Sequence, residues 1–327
     1  MATNKLFNWY AIALVSLTIH LLGAVSAGAE TKLEKSTAVF REVDGHQILV
    51  DVYRPQGDRV CPVIAWFHGG ALINGNRERV NQAVLKLAED NGCALVSFDY
   101  RLAPETKLPA LISDIEAAFQ WLAGDGAKQF HLDPQHIVAA GESAGGYLAL
   151  VTGYRVEPRP KAVVALYGYG SLSGDWYSQP SPHARHNEKK ISREEALAQS
   201  DGTVVSDHTK RKGSGSVIYL YYRQQGTWPE EVSGFDRATV AEKIVPYEPL
   251  KNVAADYPPT LLVHGTADTD VPYEESKMFS DELEKKGVPH QLITIEQGEH
   301  GLGGGDPQKI NAAFQTVREF ITEHLQE

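Results

Sequence analysis

The chain has 327 residues, 42% of them hydrophobic, and a formal net charge of −11 at pH 7. That is enough apolar material for one large domain or two, and the pattern below favours one domain with an insertion. A strongly acidic surface repels polyphosphate and anionic lipid, which argues against nucleic acid as a partner.

The amino terminus reads as an export signal. After Lys5, the apolar run from Trp9 to Val25 is broken only by Ser16, Thr18 and His20, and Ala27-Gly28-Ala29 then precedes Glu30. A basic residue, an apolar run and a small-residue site in that order predict cleavage after Ala29, with Ala27 as second choice. Residues 1–29 would then be removed, leaving residues 30–327, with charge −12, secreted or periplasmic and without stable membrane contact. The alternative is an uncleaved anchor, because the run is nearly long enough to span a bilayer.

Two alternating strands, Val39 to Val43 and Gln47 to Tyr53, flank an Asp44-Gly45 turn and predict a hairpin. Pro62 to Phe67 is a continuous apolar run, read as a buried parallel strand ending in His68-Gly69-Gly70-Ala71. Glu78 to Asp90 has helical spacing with Asn91-Gly92 as its stop. Ala94 to Phe98 is the next buried strand, and Pro109 to Leu122 an amphipathic helix with proline at its start. Ile137 to Ala140 predicts a strand that meets Gly141-Glu142-Ser143-Ala144-Gly145 and turns at once into a helix over Ala144 to Tyr154. Ala162 to Tyr167 is another strand.

Regularity then stops. Residues from about 170 to 253 contain no convincing buried strand and read as an inserted cap, with helices expected over Ser192 to Gln199 and Gly215 to Gln225. The sheet resumes at Thr260 to His264, followed by a helix from Tyr273 to Lys286, a strand from Gln291 to Ile295 and a closing helix from Pro307 to Leu325. Strands alternating with helices predict an α/β fold, a mostly parallel central sheet covered on both faces.

A strand-to-helix turn as tight as the one at Ser143 strains its central residue, and the flanking glycines remove Cβ atoms that would collide. Ser143 is thereby exposed at a helix start, where unpaired N–H groups favour developing negative charge. A serine hydroxyl needs a base, and the base needs an orienting acceptor. Two later strand ends supply them: Asp268 follows the Thr260 to His264 strand, and His300 follows the Gln291 to Ile295 strand. Asp270 is the rival acid, with one of the two aspartates expected to cap the Tyr273 helix; His264 is the rival base, expected instead to be packed. The glycine-rich loop at Gly69, Gly70 and Ala71, with Ala144, offers backbone donors for an oxyanion, and His68 is expected to brace that loop.

Four motifs in register, His68-Gly69-Gly70-Ala71, Asp99-Tyr100-Arg101-Leu102-Ala103-Pro104-Glu105, Gly141-Glu142-Ser143-Ala144-Gly145-Gly146 and the Asp268 and His300 pair, resemble the hormone-sensitive-lipase-like branch of α/β-hydrolases. The resemblance runs from about Val39 to Leu325. It implies the α/β-hydrolase fold and a serine carboxylesterase or lipase activity with Ser143, Asp268 and His300 as catalytic residues. It also implies that Arg101 and Asp114 form a buried ion pair beneath the site. Two departures matter: the family's third glycine is Ala71 here, which leaves open which N–H groups form the oxyanion hole, and the long insertion follows the sixth strand rather than sitting at the amino terminus.

Of the insertion's aromatic residues, Trp176, Tyr177, Tyr219, Tyr221, Tyr222, Trp228 and Phe235, four are candidates for an acyl or aryl pocket: Trp176, Tyr177, Tyr222 and Trp228. The competing reading has them gluing the insertion to its base. His183 and His186 lack the surrounding ligand pattern of a metal site, and no phosphate loop or dinucleotide fingerprint is present, so no cofactor is expected. Cys61 and Cys93 are candidates for a bridge or for two buried thiols. The expected partner is a small-molecule ester. A prolyl-oligopeptidase-type peptidase, a non-catalytic binding module on the same scaffold and an interfacial lipase are the other readings.

Overall fold

The computed structural model of the protein describes residues 32–326, and the predicted export signal lies outside them. Two strands open the fold, β1 (Leu33–Val43) and β2 (His46–Pro55), joined by Asp44-Gly45 with φ of 49° and 80°. Two positive φ angles give the turn the twist of the paired strands, which is why Asp-Gly suits it. Then come β3 (Cys61–Phe67), α1 (Gln82–Asn91), β4 (Ala94–Phe98), α2 (Leu108–Ala123), α3 (Asp125–Phe130), β5 (Leu132–Glu142), α4 (Ala144–Arg155) and β6 (Ala162–Leu166).

Between β6 and the next strand the chain forms seven short helices rather than the two expected: α5 (Asp175–Ser178), α6 (Ala184–Asn187), α7 (Arg193–Leu197), α8 (Gly215–Gln225), α9 (Trp228–Ser233), α10 (Val240–Lys243) and α11 (Pro249–Asn252). Of these, only α8, with 11 residues, is long enough to show a helical period; α7 and α8 are the two expected. The domain closes with β7 (Thr260–Gly265), α12 (Tyr273–Lys286), β8 (His290–Ile295) and α13 (Pro307–Gln326).

The eight strands form one sheet in the order β1-β2-β4-β3-β5-β6-β7-β8. The pairs β1–β2 and β2–β4 are antiparallel, and all others are parallel. Phe67 pairs with Gly141, Glu142 with Leu166, and Gly265 with Ile295. The carboxyl ends of the parallel strands therefore share one rim, where a sheet of this kind carries its site.

Alternation along the strands divides the core. Val63, Ala65 and Phe67 face a cluster that includes α2, α4, α12 and the insertion. Ile64 and Trp66 face the opposite cluster, built on α1 and α13. The two cysteines fall on different faces in the same way, Cys61 in the first cluster and Cys93 in the second. Both are free and buried, and no bridge joins them.

Two local predictions need correction. The helix expected from Glu78 starts at Gln82, because the Asn81 side chain accepts the Ala83 N–H and the Arg79 carbonyl is held by the Trp66 indole at 2.9 Å. Helix α3 was not expected, since Gly124-Asp125-Gly126 reads as a break. The Arg101–Asp114 pair is present and buried, with Arg101 Nε donating to Asp114 Oδ2 at 2.8 Å and Nη2 to Oδ1 at 2.9 Å.

Candidate active site

Ser143 sits between β5 and α4 with φ 54° and ψ −121°, a conformation L-residues rarely adopt. Only small neighbours permit the turn: a Cβ on Gly141 would strike the Gly145 carbonyl, and one on Gly145 the Phe67 carbonyl. The hydroxyl of Ser143 donates to His300 Nε2 at 2.9 Å, and His300 Nδ1–H donates to Asp268 Oδ2 at 2.7 Å. Three residues from three strand ends are thus brought into one hydrogen-bonded chain.

Each partner is held from behind. The Asp268 Oδ1 accepts the backbone N–H groups of Asp270 at 2.8 Å and Val271 at 2.9 Å, so its carboxylate cannot rotate. Burial pushes the Asp268 carboxyl up, but bonds from His264 and His300, the His300 charge and the Val271 N–H together hold it down at about 2. For His300, burial works against the charged form. The Asp268 bond and the charges of Asp270 and Asp268 outweigh it, so the imidazole lies above its ordinary 6.5. Glu299 ties the base loop to the acid loop, accepting the N–H groups of His300 at 2.9 Å and Thr269 at 3.2 Å.

The rivals are otherwise occupied. His264 is fully buried, with the Ser276 hydroxyl 2.7 Å from Nδ1, and its Nε2 lies 3.0 Å from the Val271 carbonyl and 3.2 Å from Asp268 Oδ2, so it braces the acid and has no path to the serine. Neither aspartate caps α12 through its side chain. Asp270 instead reaches the insertion, accepting from the Tyr219 hydroxyl at 2.6 Å and lying 2.8 Å from His186 Nε2. That contact also explains His186, which belongs to this anchor. Among the described residues no cluster of His, Cys, Asp and Glu could hold a metal ion.

The loop after β3 lies against the serine turn: a Cβ on Gly69 would come within 3.2 Å of Ser143 Cβ. The N–H groups of Gly69, Gly70, Ala71 and Ala144 have no hydrogen-bond partner among the described residues. At the position of the family's third glycine, Ala71 keeps a left-handed φ of 56°, so the loop retains its course at a local strain of roughly 1–2 kcal/mol. His68 braces it from below, with Nδ1 2.8 Å from the Gly69 carbonyl and its ring stacked on Tyr100. Burial drives the His68 imidazole down to about 3, so it stays neutral at all ordinary pH.

Ser143 and His300 open into a cavity of about 520 Å³. The insertion supplies Tyr177, Arg185, His208, Ser216 and Tyr219 to its wall. Of the four aromatic candidates only Tyr177 lines it. Trp176 borders a different cavity, as does Tyr222, and Trp228 is fully buried with its indole N–H donating to the Ala71 carbonyl at 3.2 Å. Trp176, Tyr177 and Trp228 form one stack: Trp176 on Tyr177 at 3.6 Å and Tyr177 on Trp228 at 4.1 Å between ring centres. The Arg223 guanidinium lies over Tyr177 and Trp176 at 5.0 and 5.5 Å. Apolar area buried in the insertion's own interior outweighs lining a cavity. Tyr167 and Arg185 line the cavity without a clear sequence signal, whereas Tyr219 is one of the insertion's aromatic residues and Glu142 stands inside the serine motif. Tyr167 takes its place through a positive φ of 39° just past β6.

Sheet, serine turn and strand-end loops define an α/β-hydrolase fold. The chain belongs to the BD-FAE family, whose sequence profile matches residues 50–283, a span that holds Ser143 and Asp268 and ends before His300. Among solved structures it is similar to esterase 2 of Thermogutta terrifontis phosphoramylated by tabun, at 21% identity and TM-score 0.61, covering 90% of this chain and 96% of that one. It is also similar to an acetyl ester-xyloside bifunctional hydrolase from Caldicellulosiruptor lactoaceticus, at 21% identity and TM-score 0.62, covering 88% and 96%. Curated relatives include the non-reducing polyketide synthase adrD of Penicillium roqueforti, 24% identical over 342 residues, which is 90% of this chain but 14% of the synthase. The chain spans about one seventh of the length of such relatives.

Proposed function

We propose that this protein is a serine hydrolase that cleaves small carboxylic esters through an acyl-enzyme, with Ser143 as nucleophile, His300 as general base and acid, and Asp268 as the residue that orients the imidazole. The observation that carries the proposal is the unbroken chain from the Ser143 hydroxyl through His300 to Asp268 at 2.9 and 2.7 Å. His300 Nε2 takes the serine proton as Oγ attacks the carbonyl carbon. The imidazolium then gives that proton to the leaving alcohol, and a water activated by the same nitrogen releases the acid. Asp268, already ionised, fixes Nδ1–H as the tautomer and stabilises the imidazolium.

The oxyanion is assigned to the free N–H groups of Gly69 or Gly70, Ala71 and Ala144, each such donor being typically worth ~2.7–4 kcal/mol in the transition state. Tyr177 and Tyr219 supply the aromatic part of the cavity wall. The Thermogutta terrifontis neighbour's phosphoramylation by tabun supports a nucleophile in this fold, and the Caldicellulosiruptor lactoaceticus neighbour's description supports acyl groups as small as acetyl. Among the described residues no helix is long and apolar enough to cross a membrane. Export to the periplasm or medium is the localisation proposed from residues 1–29, and the amino-terminal residue of the protein recovered from cells tests it.

Parallel assays on a nitrophenyl acetate, longer nitrophenyl esters and an aminoacyl anilide test the reading. Turnover of the short ester that Ser143→Ala abolishes is the expected result. Preference for the anilide would favour a peptidase, and a jump in rate on emulsified ester a lipase.

A further inference from the structure

Asp270 touches two parts of the molecule at once. Its Oδ1 accepts from the Tyr219 hydroxyl at 2.6 Å and from Arg223 Nη1 at 3.3 Å, both on α8, and faces His186 Nε2 on α6 at 2.8 Å. Arg223 Nη1 also donates to the Asp270 carbonyl at 2.9 Å. Its other oxygen, Oδ2, lies 3.8 Å from His300 Nε2 and 3.7 Å from Arg185 Nη2. Nε2 is the atom that faces the Ser143 hydroxyl, and it carries the proton once the serine has lost it.

We propose that Asp270 is a positioning residue for this reaction: one carboxylate oxygen fastens the insertion to the acid loop, and the other presents a second negative charge to the His300 imidazolium. Seating of the insertion over the cavity thereby sets the strength of the base. The inference rests on the reading of Ser143, His300 and Asp268 given above.

The geometry makes the two roles one. With three side-chain groups gathered at Oδ1, the carboxylate cannot turn, and Oδ2 is kept toward Nε2. At 3.8 Å it is too far to take the proton in a hydrogen bond but close enough to favour the charged ring. An insertion that lifts away removes Tyr219, Arg223 and His186 together and lets the carboxylate swing into water, where its influence on His300 is screened. Asp268 cannot substitute, because it acts on Nδ1 from the other side of the ring. Other charged and titratable groups near His300 are Glu299 on its own loop, Arg185 from the insertion, Tyr167 just past β6 and Glu142 at the serine turn, with Arg79, His208, Tyr177 and Tyr219 further along the same cavity wall. Of these, Arg185 opposes Asp270, lowering the tendency of His300 to hold a proton.

The test is the pH profile of kcat/KM on a water-soluble nitrophenyl acetate. Asp270→Asn keeps the shape and removes the charge. The acid limb should move to lower pH by roughly half a unit to one unit, with plateau kcat down several-fold. Asp270→Glu, which restores the charge, should return the limb toward the wild-type position. Tyr219→Phe should raise KM and move the limb part of the way down. Arg185→Gln, at a residue two-fifths exposed, should move the limb upward. Asp270→Asn with a raised KM and an unmoved limb would reduce Asp270 to an anchor and overturn the proposal. Should that variant not fold, an unmoved limb in both Arg185→Gln and Tyr219→Phe does the same. Failure of the parent reading shows separately, as Ser143→Ala retaining wild-type turnover.

Discussion

The rim of the sheet and the insertion over it use the same residue types in opposite ways. At the rim, functional groups stand in strained loops: the Ser143 side chain at φ 54°, the Ala71 backbone at 56° and Gln297 at 60°. They are held by backbone N–H groups and by small residues that leave room. In the insertion, polar and aromatic side chains turn inward onto one another and onto the domain beneath, with Arg223 among three aromatic rings and Arg211 buried against Glu105 at 2.6 Å. Arg211 also donates to the carbonyls of Ile73 and Ala103, so the insertion is fastened to the loop that follows the glycines. Backbone strain sits where the chemistry is proposed, and side-chain packing where the shape of the cavity is decided.

That contrast predicts a division between variants that end turnover and variants that end folding. Ser143→Ala should lose roughly 10⁴-fold or more in kcat with an unchanged melting temperature, and a melting temperature that fell with it would blur the contrast. Asp268→Asn should lose on the order of 10³- to 10⁴-fold, because Nδ1 is left with the wrong tautomer. In the insertion, Trp228→Ala should instead destabilise by about 3–5 kcal/mol, read from denaturant unfolding, since a fully buried indole leaves a cavity beneath Ala71.

Titration sharpens the rim further. His300 must be neutral to act, and its imidazole is held above 6.5, so kcat/KM should fall as pH drops through a value above 6.5. A limb well below 6 would contradict the field of Asp268 and Asp270. The smallest effect belongs to Ala71→Gly, which relieves a left-handed alanine and keeps the same N–H. It should change stability by no more than about 1 kcal/mol and activity by only a few-fold.

The rim was legible in the sequence because its constraints are local. Gly-x-Ser-x-Gly between an apolar strand and a helix marks a tight turn, and the Asp268 and His300 loops, which follow strands short and apolar enough to recognise, decide its role. Asp44-Gly45, Gly92 and Gly287 marked turn and helix ends for the same reason, each with a positive φ. The insertion was not legible, because its order comes from distant partners. Trp228 looks like a pocket residue until Ala71 and Tyr177 are placed beside it, and Asp270 looks like a helix cap until Tyr219 arrives 51 positions earlier in the chain. Helices of four residues such as α5, α6, α10 and α11 have too few turns to show a period, and tertiary packing alone stabilises them.

One measurement addresses the central claim directly: reaction of the protein with a fluorophosphonate, followed by mass spectrometry of its peptides. One adduct per chain is expected, on Ser143, forming in step with loss of esterase activity and much more slowly in His300→Ala. Activity lost with the adduct on another residue, or esterase turnover persisting in fully labelled protein, would contradict it.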